Sequence, residues 1–166
     1  MDLFPKTKFN MKKPHSLTLS FYIILLSTMT LTLDTAAQTE IKKVTSKMKI
    51  LVHVTQGPEN PTRAALAFLV AKTAIEEGHS VTLFLAGDAV QLIRDGVLDN
   101  LAGLGTGKLR EHFDAIVKGG GKFYLSGMSG KARGIGDVDL QNKPAEFAMP
   151  SVLLRLALEN DRMFVY

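Results

Sequence analysis

Short apolar β-branched runs recur along the chain from Ile50 onward, and each is followed by a stretch with helical signals. Ile50-Leu51-Val52-His53-Val54 is almost continuously apolar. A strand that reads this way is buried on both faces, which is the mark of a parallel sheet covered by helices. Gln56-Gly57-Pro58 breaks the run. Asn60 then offers a capping side chain, with Pro61 at the first helical position. The spacing predicts a helix from Pro61 to Glu77, with Gly78 placed to end it. Val81–Leu85 reads as the second strand. Gly87-Asp88 turns the chain into a short helix over Ala89–Arg94, and glycine-rich loops follow around Gly96 and Gly103–Gly107. A further helix spans Lys108–Lys118 and stops at Gly119-Gly120-Gly121. Lys122–Leu125 is the third strand, and Ser126 opens a short helix ending near Arg133-Gly134. Asp137–Leu140 fits a short strand or a turn. The last helix begins between Pro144 and Pro150, and Met163-Phe164-Val165 is the last strand. This alternation predicts an α/β fold, a three-layer α/β/α sandwich on a mainly parallel sheet of four to five strands.

Charge separates the chain into unequal parts. The net charge is +4, yet residues 48–166 balance to zero, so the excess lies in residues 1–47. Without a basic surplus the folded part has no drive for nucleic-acid binding by counterion release. Residues 16–33 carry no charge, follow Lys6, Lys8, Lys12 and Lys13, and precede Thr35-Ala36-Ala37. Basic, apolar, then small is the layout of a secretory signal cut before Gln38. Residues 1–37 are therefore expected to be a signal peptide, with Met11 as a possible start, and the protein to be periplasmic or secreted. Two alternatives stay open. The run is long enough for an uncleaved membrane anchor, which needs roughly 17–25 residues, and Met48 could be the first residue. Residues 38–47 read as a polar linker, and residues 48–166 as the domain.

The chain has no cysteine, which excludes disulfides, thiolate metal sites and cysteine nucleophiles. The histidines lack metal-ligand spacing and no acidic cluster joins them, so neither a metal nor another cofactor is expected. His79 reads as a surface residue and His112 as part of a polar helix face. Two tempting motifs fail. Gly127-Met128-Ser129-Gly130 is followed by Lys131, where a hydrolase elbow needs glycine, and no histidine lies beyond His112. Gly103-Leu104-Gly105-Thr106-Gly107-Lys108 lacks the first glycine and final hydroxyl of a phosphate loop, and it follows a loop.

In open α/β sheets, ligands bind beyond the carboxyl ends of the strands. That rule selects His53–Gly57, Gly87-Asp88, Ser126–Ser129 and the turn before the last helix. The candidate ligand-binding residues are His53, Thr55, Asn60, Arg63, Asp88, Ser126, Ser129 and Arg133. Each has a competing structural role: Thr55, Asn60 and Ser126 as caps, His53 as a hydrogen-bonded core residue, and Arg133 as an ion-pair partner of Asp137 or Asp139. Nothing among them defines a reaction. Phe113, Phe147 and Met149 suit either the core or a subunit interface.

Several blocks, taken in order and spacing, carry a resemblance. They are Lys49–Thr55, Pro61–Phe68, Glu76–Asp88, Lys131–Gly134 and Pro144–Pro150. The chain resembles the DsrE/DsrF-like family, which includes the sulfur-relay Tus proteins. The resemblance implies the same α/β fold, assembly as a homo-oligomer, and the option of a partner subunit from the family. Sulfur-carrying members place a cysteine seven residues before the Arg-Gly pair; here Ser126 holds that position before Arg133-Gly134. A thiolate can attack a persulfide and keep its sulfur. A serine hydroxyl does neither without an adjacent base. The expected function is thus an exported small-molecule or partner-binding protein without persulfide chemistry. The alternative is a relay subunit whose cysteine sits on a partner chain.

Overall fold

The computed structural model of the chain describes residues 46–166. The expected signal peptide and nearly all of the expected linker lie outside these residues.

Five strands form one parallel sheet. They are β1 (Lys49–Val54), β2 (Ser80–Leu85), β5 (Lys122–Ser126), β6 (Ala145–Ala148) and β7 (Arg162–Val165), in the spatial order β6-β5-β2-β1-β7. The first four strands step outward in one direction. The connection after β6 then returns across the sheet and places β7 beside β1, with Ile50 opposite Arg162 and His53 opposite Val165.

Helix α1 (Pro61–Glu76) starts as its sequence indicates. The Asn60 side chain accepts from the Arg63 N–H, Pro61 occupies the first turn, and Gly78 takes a positive φ of 91° beyond the end. Its alanine-rich face, with Phe68, is fully buried against one face of the sheet. A 3-10 turn (Gly87–Ile93) and α2 (Asp95–Asn100) follow β2. A two-residue hairpin pairs β3 (Ala102–Gly103) with β4 (Gly107–Lys108), and α3 (Leu109–Lys118) packs beside α1. The main core lies on this face. Phe123 of β5 stacks there between Phe68 and Phe113, with ring centroids 5.9 and 5.0 Å away. Aromatic contacts of this kind add about 0.5–1.5 kcal/mol each beyond area burial.

Among the described residues, the opposite face is covered by one helix, α6 (Pro150–Glu159), which makes the return crossing. Its Leu156, Val152 and Leu153 pack against Leu51, Phe84 and Ala148 in a smaller second cluster. Two short helices, α4 (Gly127–Ala132) and α5 (Asp137–Leu140), lie between β5 and β6.

The sheet flanked by helices matches the sequence expectation, with local corrections. Gly96 lies inside α2 rather than a loop. Asp137–Leu140 forms one helical turn. Ala145–Ala148 is the edge strand β6, so the last helix starts only at Pro150. Pro144 stands just before this strand, where its missing N–H breaks no ladder bond. Its carbonyl accepts from Phe123 N at 2.9 Å.

Candidate functional site

Because β2 and β5 are neighbours, the loops leaving their carboxyl ends face each other. Ser126 is the last residue of β5 and the N-cap of α4, and its Oγ accepts from Ser129 N at 3.4 Å and from Ser129 Oγ at 3.1 Å. Ser129 Oγ in turn accepts from Gly87 N at 3.0 Å, which ties α4 to the turn after β2. Arg133 Nε donates to Asp88 Oδ1 at 2.8 Å, and its Nη1 reaches Ser129 O at 3.4 Å. Asp88, Ser126, Ser129 and Arg133 thus form one polar network across the rim, all of it partly open to solvent.

The partner of Arg133 is therefore Asp88, not Asp137 or Asp139. The Asp139 carboxylate lies 3.7 Å from Arg94 Nε instead. Arg94, which the sequence reading did not single out, also donates to Arg133 O and Gly134 O at 3.0 and 2.9 Å. It holds the end of α4 and so supports the placement of Arg133. Gly57 is another unanticipated part. A Cβ built there would lie 2.4 Å from Asp88 O, so only glycine lets the loop after β1 pass this close to the Asp88 backbone. The Gly-Pro pair after a strand was its sequence signal, read only as a break.

The other candidates stand apart from this network. Thr55 N and Oγ1 both donate to Tyr166 O, at 2.8 and 2.9 Å, so its side chain fastens the segment after β7 to the rim. Asn60 caps α1, and Arg63 is exposed on the first turn of that helix. His53 projects onto the α6 face, edge-on to Phe84 with ring centroids 5.9 Å apart. Its Nε2 is buried and has no partner among the described residues. Burial lowers its pKa from the ordinary value, which keeps the ring neutral.

Two histidine readings change as well. His112 is buried rather than on a polar face, with Nε2 2.6 Å from Thr106 O, so it braces the glycine-rich hairpin. His79 is only partly exposed, and its Nδ1 accepts from Met48 N at 3.3 Å. Phe113 and Phe147 pack on the main core, whereas Met149 is 59% exposed beside the rim. Among the described residues, no three of His, Asp and Glu gather in a way that could hold a metal.

A five-stranded parallel sheet between helices, with a polar rim at the carboxyl ends of its strands, defines a three-layer α/β domain. The chain belongs to the DsrE/DsrF-like family, whose model matches residues 48–166. Among solved structures, it is similar to the crystal structure of the YchN protein from E. coli, at 19% identity and a TM-score of 0.61, covering 72% of this chain and 99% of that one. It is also similar to a conserved protein of unknown function, BT1422 from Bacteroides thetaiotaomicron, at 12% identity and a TM-score of 0.49, covering 71% of this chain and 94% of the other. The first of these shows the same fold. No curated protein sequence matches the chain.

Proposed function

We propose that this protein is an exported binding member of the DsrE/DsrF-like family, working at the rim around Ser126 and carrying out no persulfide chemistry of its own. The observation that carries this reading is the setting of the Ser126 hydroxyl. Its contacts among the described residues are Ser129 N and Ser129 Oγ, and neither can act as a base. A serine without a base stays protonated and weakly nucleophilic near neutral pH. The same hydroxyl accepts two hydrogen bonds, which leaves its own proton to donate to a ligand. Asp88 and Arg133 beside it supply one charge of each sign. This suits a small polar ligand or a polar segment of a partner.

A relay-subunit reading gains support from the apolar flank of the rim. Met128 is 67% exposed and Met149 is 59% exposed, and Ser126 pairs with Ala148 immediately before Met149. Methionines on a surface of this kind adapt to a partner's side chains. A cysteine-bearing family member docking here would bring its sulfur close to Ser126. A homo-oligomer using the same flank is the simpler assembly.

Native mass spectrometry of the mature chain purified from its host tests these readings together. A retained small ligand, lost on Asp88→Ala with Arg133→Ala, supports the binding module. Co-purification of a cysteine-bearing paralogue supports the relay subunit. Sulfur transfer to or from the unmodified chain would overturn the reading. The mass of the mature chain also tests export, since a start at Met1 or Met11 excludes cleavage after Ala37.

A further inference from the structure

The uneven covering of the sheet leaves a concavity far from the rim. Among the described residues α6 alone lies on its face, and none of them covers the sheet beside the C-terminal end of that helix. A hollow of about 440 Å³ opens there, at the amino ends of the strands. Its floor includes Leu156 and its walls carry Lys47, Lys49 and Lys122.

The strand register explains why these side chains converge. Lys49 pairs with Ser80, and Thr82 pairs with Lys122. Residues two apart on a strand share a face. Ser80 and Thr82 therefore lie on the same side of β2 as Phe84, which belongs to the α6-side cluster. Lys49 shares that side with Leu51. The result is a diagonal across three adjacent strands: Lys49 beside Ser80 in one row, and Thr82 beside Lys122 in the next row on the same face. Lys47 adds a third cation from the segment entering β1.

These lysines are not spent on neighbouring acids. Among the described residues, none of Lys47, Lys49 and Lys122 lies within ion-pair distance of a carboxylate, and of the unpaired cations these three converge on one concavity. Glu159, the acid in the lining, is engaged by Arg155 Nη1 at 3.3 Å. The nearby Asp161 carboxylate accepts from Lys49 N at 2.8 Å. The Ser80 and Thr82 hydroxyls likewise have no side-chain hydrogen bond among the described residues. In a domain whose charges balance to zero, this is a local excess of positive charge inside a concavity. Lysine ammonium groups and hydroxyls together are the donors that a phosphate oxygen accepts from.

We propose that this hollow binds a small phosphate-bearing anion, held by Lys49, Lys122, Ser80 and Thr82, with Lys47 in the same lining. The site is separate from the rim and does not depend on what the rim binds.

The test is isothermal titration of the full chain with inorganic pyrophosphate at low ionic strength, where surface charge is least screened. Saturable binding is expected at one site per chain. Lys49→Ala combined with Lys122→Ala is expected to weaken it by about tenfold or more. Lys108→Ala, on the exposed hairpin, should leave it unchanged. Thr82→Val keeps the charge and the shape and should weaken it several-fold. A parallel arm measures sedimentation with phosphatidylcholine vesicles containing phosphatidic acid. Saturable pyrophosphate binding lost in the double variant supports the proposal. It is overturned by no saturable binding, by equal losses in the double variant and the Lys108 control, or by binding to vesicles without binding to pyrophosphate. Unchanged melting temperatures of the variants, measured alongside, separate lost binding from lost folding.

Discussion

Arg133 reaches across from the end of α4 to Asp88 after β2, its Nε 2.8 Å from Oδ1, and this contact joins two loops that are 45 residues apart in the chain. The pair is partly exposed, with side-chain exposures of 28% and 50%. Its worth to stability is therefore small, about 0–1 kcal/mol. Its main effect is to orient the carboxylate and guanidinium at the rim. Arg133→Ala should lower the unfolding free energy measured in urea by no more than this, while any ligand seen by native mass spectrometry is lost. A large stability loss with the ligand retained would show that the pair is structural.

Ser126→Cys places a thiol at the end of β5, beside Ser129 and within the Asp88–Arg133 network. The variant should fold normally, since the exchange at a partly exposed position is nearly isosteric. If the rim geometry still suits sulfur transfer, mass spectrometry after treatment with a persulfide donor will show an added sulfur. If none is gained, the rim has been reshaped for another ligand.

Gly57→Ala should be destabilising out of proportion to one methyl group. The new Cβ would meet Asp88 O and Asp88 C at 2.4 and 2.6 Å, and both are backbone atoms with little freedom to move. Overpacking of this kind costs about 1–3 kcal/mol. Urea unfolding should show the loss. The same variant should impair the rim, because relief of the clash displaces Asp88.

His53 makes stability fall on acidification. Its folded-state pKa is lowered by burial from the ordinary 6.5, so the unfolded chain binds the proton more readily. Stability from this source is intact above the unfolded value. It declines as pH falls below about 6.5 and levels off once the folded pKa is passed. His53→Phe removes the titrating ring and the buried nitrogen that lacks a partner. Thermal melts from pH 7 to pH 5 should show a shallower decline for the variant.

His112→Leu removes the contact with Thr106 O from a buried position. The Thr106 carbonyl belongs to a half-buried residue that water can reach, so the loss is that of one hydrogen bond, about 0.5–1.5 kcal/mol. Hydrogen exchange should accelerate over residues 103–107 while remaining slow in β1 and β2. Uniform acceleration throughout the domain would show instead that His112 supports the whole core.

Most of the architecture was legible in the sequence because its signals are local. Apolar runs marked β1, β2 and β5, and Asn60-Pro61 with Gly78 bounded α1. The edge strand β6 was missed because its residues Ala145–Ala148 are short and only partly apolar, between two prolines that suggested a helix start. The burial of His112 was missed because Arg110, Glu111 and Asp114 stand close to it in sequence, although Leu109 three residues before and Ile116 four after share its face of α3 and are buried with it. The two lysines of the hollow at the amino ends of the strands carry no sequence signal, being single residues at the starts of separate strands.

By itself the sequence determined that strands alternate with helices, that Ser126 ends a strand and caps a helix, and that no thiol exists to carry sulfur. Each of these depends on residue identity and near neighbours alone. Tertiary structure decided which distant groups meet. The order β6-β5-β2-β1-β7 sets the Asp88 turn against α4, chooses Asp88 over Asp137 and Asp139 as the partner of Arg133, and leaves α6 as the one helix on its sheet face among the described residues. Strand adjacency results from packing the whole chain at once, and no local pattern encodes it.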